Sequence, residues 1–372
     1  MKILHVTSVR ELSQGQRKQL DYECGASSHL EGADWTCVAL HSGKPLLSFE
    51  RQIPVAFRKL FLKNLFTWLF LIRESRKYDY ILCRHMAFDP FVFVFGWFVP
   101  NRVTIHHAKE TQELKLVRKD WRGKAASLLE RVCGWGSSRQ VCGILGVTSE
   151  IARYEYDLYK ARCPIGVYPN GIEIDGVDIL SDQRVEDVNI AFLCGVFSPW
   201  QGLDRLVTAF RASRGGDGGR SVTVHLIGAI DRPMTRLVDA WNREHQCFFM
   251  YGSMNQAEYR SILAKCDFGL DSLAIDRKQL SEGASLKVRE YLAFGLPVFS
   301  VHGDAGIPRG HLYYRQGRLD IEEMIDFALS MKTVSRQEVR RASAKYISKK
   351  RVMEGVCVWL REIRGKLKKR SG

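Results

Sequence analysis

Short β-rich runs alternate with helical patterns almost from end to end of this chain, and the series occurs twice. Strand-like segments lie at 2–7, 35–40, 80–84, 102–106, 143–148 and 165–168, with helical periodicity over 17–29, 57–77 and 124–133 between them. A second series begins at Asn189, with strands at 189–194, 222–227, 247–251, 268–273 and 298–301 and helices at 203–212, 256–265 and 285–294. Such alternation predicts an α/β fold with a doubly wound parallel sheet in each half. At 372 residues the chain is also too long for one ordinary core. The polar, glycine-bearing stretch PNGIEIDGVDILSDQRVED reads as the linker. The expected domains are 1–170 and 171–345, followed by a basic helix or tail at 346–372. Ligands of open parallel sheets bind beyond the carboxyl ends of the strands. Two such domains facing across a cleft would hold a ligand between them.

The net charge of +15 favours an anionic partner: a phosphorylated substrate, a bilayer surface or a nucleic acid. The basic residues are dispersed and no recognised nucleic-acid motif stands out, so nucleic acid is the weakest of the three. The start MKILHVTSV lacks the apolar core of a secretory signal. The longest apolar stretch, 91–100 with its flanks, is shorter than the roughly 20 residues that span a bilayer. Ten cysteines without CxxC spacing suggest reduced, buried thiols in a cytoplasm and argue against a zinc site.

The most informative segment is Glu282-Gly-Ala-Ser-Leu-Lys-Val-Arg-Glu290, followed by YLAFGLP. Ser285 can cap a helix that runs to Phe294 and is ended by Gly295 and Pro297. Its first turn then offers free amides around Ser285, Leu286 and Lys287, an anion site. Lys287 puts positive charge where the helix dipole favours an acid, which a bound phosphate would offset. Glu290 lies about 7 Å further along the axis at 1.5 Å per residue, a spacing suited to ribose hydroxyls. Glu282 precedes the helix in a loop. An ordinary amphipathic helix with Leu286, Glu290 and Ala293 on one face is the competing interpretation.

EGASLKVREYLAFGLP resembles the signature of glycosyltransferase family 4, the retaining enzymes with two Rossmann-like domains in the B-type arrangement. VTSEIARYE with YPNGIEI, CGVFSPWQGLDRLVTAF and AEYRSILAKCDFGLDSL extend the resemblance over most of 143–300. The N-terminal half is similar only in strand pattern and a few loops. The resemblance implies transfer of a sugar from a nucleoside diphosphate, with a UDP-sugar the first expectation. The acceptor would be a hydroxyl of a lipid-linked or envelope polysaccharide. Glu290 would bind the ribose, Glu282 the transferred sugar, and the amides of Ser285, Leu286 and Lys287 the diphosphate. Gly195, Gln201, Gly202 and Tyr251 would complete the donor side, with Gly15 and Gln16 on the acceptor side. A histidine at the end of the fourth strand, His106 or His107, would orient acceptor or sugar; a plain surface pair is the alternative. No cofactor or metal is expected beyond the co-substrate.

One departure matters. The family commonly carries arginine and lysine where this chain has Val196 and Gln201. Lys287, Arg277 and Lys278 are the cations nearby in sequence. Without replacement cations the chain would be a silent sugar-nucleotide-binding relative. An epimerase of the same fold remains another alternative, while a phosphorylase would need a cofactor lysine site that is not evident.

Residues 57–77 place Phe57, Phe61, Trp68 and Ile72 at helical spacing among lysines and arginines. The segment suits either an anionic inner membrane face or the cover of a sheet. The basic tail REIRGKLKKR could add to membrane contact or be frayed.

Overall fold

The computed structural model describes residues 1–117, 120–213 and 221–371. The chain divides into two compact units, Met1–Glu173 with Lys349–Gly372, and Ile174–Ser348.

The first unit is built on seven strands: β1 (Lys2–Ser8), β2 (Asp34–His41), β3 (Glu50–Gln52), β4 (Tyr80–Arg84), β5 (Arg102–His106), β6 (Gly143–Gly146) and β7 (Ile165–Val167). Their order is β3-β2-β1-β4-β5-β6-β7, all parallel. Six match the expected segments; β3 is three polar residues between Phe49 and Ile53, with no apolar run to betray it. Helices α1 (Gln14–Ser27), α2 (Leu60–Ser75), α3 (Val92–Phe95), α4 (Glu110–Val117), α5 (Trp121–Ser138) and α6 (Ser149–Tyr159) join them. Strand side chains alternate between faces. Ile3 of β1 packs with Leu20 of α1, while Leu4 and Val6 pack with Trp68 and Leu71 of α2. Trp68 is fully buried and donates its indole N–H to Asp89 Oδ2 at 2.7 Å. The apolar face of α2 therefore covers the sheet.

The second unit has β8 (Val188–Val196), β9 (Val222–Ala229), β10 (Phe248–Gly252), β11 (Phe268–Leu270), β13 (Val298–Ser300) and β15 (Tyr314–Gln316), in order β10-β9-β8-β11-β13-β15 and again parallel. A separate parallel pair joins β12 (Glu282–Gly283) to β14 (Gly303–Asp304). Helices α7 (Leu203–Ala212), α8 (Arg232–His245), α9 (Gln256–Leu263), α10 (Leu286–Ala293), α11 (Ile321–Met331) and α12 (Arg336–Ile347) flank the sheet. Phe192, Leu206, Val207, Leu270, Met324 and their neighbours form its main core. The linker is not loose where it enters this unit: Arg340 donates to the carbonyls of Val177 and Ile174. Gly295 ends α10 at φ +80°, and a Cβ there would lie 2.3 Å from the Arg336 carbonyl oxygen.

The final helix, α13 (Lys349–Ser371), returns to the first unit. Met353, Val356, Cys357, Leu360 and Ile363 recur on one face and enter the core beside Ile3, Leu82 and Ile105. The segment expected as a basic helix or tail is a helix that enters the core through Ile363, because this apolar stripe has a sheet to cover. At its start Lys349 is fully buried, paired with Glu23 at 3.1 Å and 4.1 Å from the centre of the Tyr168 ring. Glu23 Oε1 also accepts from His5 Nδ1 at 2.6 Å and Trp35 Nε1 at 2.8 Å. Burial alone would raise the Glu23 carboxyl, yet His5 and Lys349 hold it far below the ordinary range.

Candidate functional site

In the second unit the chain order reverses between β8 and β11, the switch point beyond whose strand carboxyl ends a doubly wound sheet takes up ligands. Asp271 directly follows β11 there and is fully buried. Its Oδ1 accepts from Ser285 Oγ at 2.8 Å, Lys287 Nζ lies 3.9 Å from the same oxygen, and His302 Nε2 lies 3.4 Å from Oδ2. Burial works to raise this carboxyl, but His302 and Lys287 keep it below its usual value.

Lys287 reaches back over β8. Its Nζ donates to Gln201 Oε1 at 2.9 Å, lies 3.7 Å from Cys194 Sγ and sits 4.9 Å from the centre of the Phe192 ring. Burial pushes the Cys194 thiol up to about 11. Ser272 Oγ donates to the same Gln201 oxygen at 2.9 Å. Gln201 is held by the turn at Gly202, whose φ is +78° and where a Cβ would meet Leu273 Cβ at 2.9 Å. That glycine lets the loop after β8 lie against the segment after β11.

Ser285 stands at the N-cap position of α10, but its hydroxyl is directed to Asp271 and does not cap the first turn. The expected serine cap is absent, and the first-turn amides keep their affinity for an anion. Glu290 is buried on α10 and accepts from Tyr259 Oη at 3.2 Å. Arg289 turns the other way into a fully buried bidentate pair with Asp304, its Nη2 2.7 Å from Oδ1.

Glu282 lines a cavity of about 480 Å³ together with His302, Asp304 and Arg309. His302 joins the two places, since it lines the cavity and faces Asp271. Gln201, Ser285 and Lys287 are thus brought together around Asp271, with Glu282 on the adjoining cavity wall. Gly195 and Val196 are exposed at the carboxyl end of β8. The other two expected cations are engaged: Arg277 pairs with Asp204 at 2.5 Å, and Lys278 lies 4.3 Å from the centre of the Trp200 ring. Tyr251 belongs to a separate chain of bonds, with its hydroxyl 2.9 Å from His225 Nδ1 and His225 Nε2 3.0 Å from Asn189 Oδ1. Asp271 and His302 were missed in the sequence. Each is a polar residue at the end of an apolar strand, and that was the only signal.

In the first unit the two histidines part company. His106 is buried, stacked on His85 at 4.6 Å, and its Nδ1 and Nε2 lie 3.1 Å from Glu110 Oε2 and 3.3 Å from Thr104 Oγ1. Burial pushes its pKa down. His107 is half-buried and its side chain makes no hydrogen bond among the described residues. Burial, with Arg84 and His5 nearby, drives its pKa well below the ordinary value. Glu155 lies 3.9 Å from His106 Nδ1 with neither carboxylate oxygen hydrogen-bonded among the described residues. His106, Glu110 and Glu155 bring three possible ligand atoms within 4.8 Å, as do His5, Glu23 and Cys37. Gly15 and Gln16 lie in the first turn of α1, where Gln16 Oε1 accepts from the Ser13 amide at 3.1 Å in a reciprocal cap.

No protein-family profile matches this sequence. No curated protein matches it either. Solved structures do match over nearly the whole chain. A glycosyltransferase from Rickettsia africae ESF-5 is 13% identical with a TM-score of 0.62, over 97% of this chain and 98% of that one. The fold is that of the GT-B glycosyltransferases. The sucrose-phosphate synthase of Thermosynechococcus elongatus is 12% identical with a TM-score of 0.62, over 98% of this chain and 100% of that one. Anabaena HepE, solved with UDP and glucose, is 13% identical with a TM-score of 0.60, over 97% and 100%. Identities this low establish the shared two-domain α/β architecture and nothing finer.

Proposed function

We propose that the second unit binds a nucleoside-diphosphate sugar at the carboxyl ends of β8 and β11, and that the protein transfers the sugar to a hydroxyl with retention at the anomeric carbon. One observation carries this reading: the Lys287 ammonium and the serine-uncapped N-terminus of α10 converge at that switch point. Such a pairing suits a diphosphate, which needs amide donors and positive charge together. The complex of HepE with UDP and glucose, on the same fold, favours a UDP-sugar.

In this reading the amides of Ser285, Leu286 and Lys287 hold the diphosphate, and Glu290 binds the ribose beside Tyr259. Glu282 positions the sugar from the cavity wall. As the glycosidic bond to the leaving phosphate breaks, negative charge grows on that phosphate, and Lys287 with the α10 amides stabilises it. The scheme asks for no metal ion. His107 is assigned to the acceptor side, because His106 is committed to partners inside its own unit. The acceptor is a saccharide or lipid-linked saccharide hydroxyl.

Val196 and Gln201 favour a second reading, a sugar-nucleotide-binding protein without turnover, since Gln201 offers Lys287 an uncharged partner. The two separate in one assay. With UDP-sugars and saccharide acceptors, nucleoside diphosphate release and the anomeric configuration of the product are followed by NMR. Acceptor-dependent release with retention supports transfer; donor binding without release on any acceptor supports the silent reading.

A further inference from the structure

Helix α5 is built inside out. Its buried face consists of small and polar residues: Gly123, Ser127, Glu130, Cys133, Gly134 and Ser137. These make specific contacts, such as Glu130 with His85 at 2.6 Å and Ser127 with the Thr111 carbonyl at 3.1 Å. Its solvent face carries Trp121, Leu128, Leu129, Val132 and Trp135, with Trp121 72% exposed. A surface helix in water shows the opposite polarity. The patch continues onto the preceding segment, where Val94, Trp97 and Phe98 are exposed and Trp97 reaches 69%. The two pieces adjoin, because Phe93 lies over Gly136, where a Cβ would come within 2.5 Å of its ring. A contiguous apolar surface of this kind marks an interaction site.

We propose that this face docks on an anionic bilayer. Arg122, Lys124 and Arg131 are exposed on α5 and Arg139 at its C-cap, and none forms an ion pair among the described residues. Arg139 lies 4.6 Å from the centre of the Trp135 ring. The only acid on α5 is Glu130, which is buried against His85. Tryptophans with neighbouring cations suit the headgroup boundary, where the rings enter the acyl edge and the cations meet lipid phosphate. The charge also argues against a second copy of the same face, which would set these cations opposite their equivalents. No helix among the described residues is long and apolar enough to cross a membrane, so contact is from one side. α2, the segment the sequence suggested, leaves Phe61, Leu62 and Leu69 exposed but buries Trp68 and Leu71 under the sheet, whereas Trp121 and Trp135 of α5 are at the surface. The proposal goes beyond the transferase reading and does not depend on it.

The test is flotation of the full chain with phosphatidylcholine vesicles, with and without phosphatidylglycerol, at low and high salt and with no nucleotide present. Wild type should float with anionic vesicles, shift its tryptophan emission to the blue, and leave the vesicles as salt rises. The triple variant Trp121→Ser, Leu128→Ser, Trp135→Ser should lose about tenfold or more in partitioning while keeping its melting temperature. Arg122→Glu with Arg131→Glu should lose anionic preference in the same way, a second route if the triple variant folds poorly. A folded triple variant that floats like wild type would overturn the proposal. So would a wild type that ignores anionic vesicles at low salt, whether it stays monomeric or forms a dimer that the triple variant dissolves.

Discussion

The Lys287 ammonium donates to the Gln201 side-chain oxygen across 2.9 Å, so the lysine stands beside the position where the family that the sequence resembles commonly has a lysine. One charge stands where two would crowd. Lys287→Ala should lower kcat more than it raises the donor KM, a loss on the order of a few kcal/mol in the barrier. Gln201→Lys should recover part of the rate in that variant. In the wild-type background the same change should weaken folding or binding, because two ammonium groups would meet in a half-buried place. Steady-state kinetics on the four proteins of this cycle checks the reading; turnover unchanged in Lys287→Ala would remove it.

His106 and His107 should respond in opposite ways. His107→Ala should reduce transfer to acceptor while donor affinity and melting temperature stay near wild type. His106→Ala should instead cost stability, about 1–3 kcal/mol, by leaving Glu110 without its buried partner. Paired denaturation and transfer assays separate the two. Equal loss of stability in both variants would contradict the assignment.

Lys349 and Glu23 fasten α13 to the first unit. Lys349→Ala leaves a buried carboxylate short of a cation and should destabilise the protein by roughly 3–5 kcal/mol. The Glu23 carboxyl is depressed in the folded state, so its contribution is present above the unfolded value of about 4.3 and fades as pH falls below it. Urea denaturation as a function of pH measures both effects. A variant as stable as wild type would show that the apolar stripe of α13 suffices.

Glu155 has the opposite sign. Burial first, and then the charge of Glu110, raise its pKa well above the ordinary carboxyl. A raised carboxyl destabilises the fold increasingly as pH climbs from the unfolded value of about 4.3 towards the folded one. Glu155→Gln should therefore stabilise the protein at neutral pH and matter little near pH 4. Denaturation at the two pH values decides it, and a destabilised Glu155→Gln at neutral pH would show that the carboxylate has an ionised task.

The strands were legible because most are runs of apolar and β-branched residues whose two faces are both covered, as in Lys2–Ser8 and Val188–Val196. Helix α10 was legible through its flanking serine, glycine and proline. The two-residue pairing of β12 with β14 was not, because polar residues paired away from the main sheet leave no periodic pattern. The cluster Ser285, Lys287 and Glu290 could be read from one segment. Asp271 and His302 could not, since they meet only through the side-by-side placement of β11 and β13. The faces of α2 and α5 show the other limit. Periodicity locates an apolar stripe, yet which stripe meets the sheet depends on tertiary packing, and in α5 small residues take the inner side.

The central claim is that the N-terminus of α10, with Glu290 behind it, is a sugar-nucleotide site. Isothermal titration of UDP-, GDP- and dTDP-sugars into wild type and Glu290→Gln tests it most directly. At least one sugar nucleotide should bind wild type, and its affinity should fall in Glu290→Gln by about tenfold or more, the equivalent of one charge-assisted hydrogen bond, with no change in melting temperature of the free protein. Failure of all three nucleotides to bind folded wild type, or equal affinity for both proteins, would contradict the account.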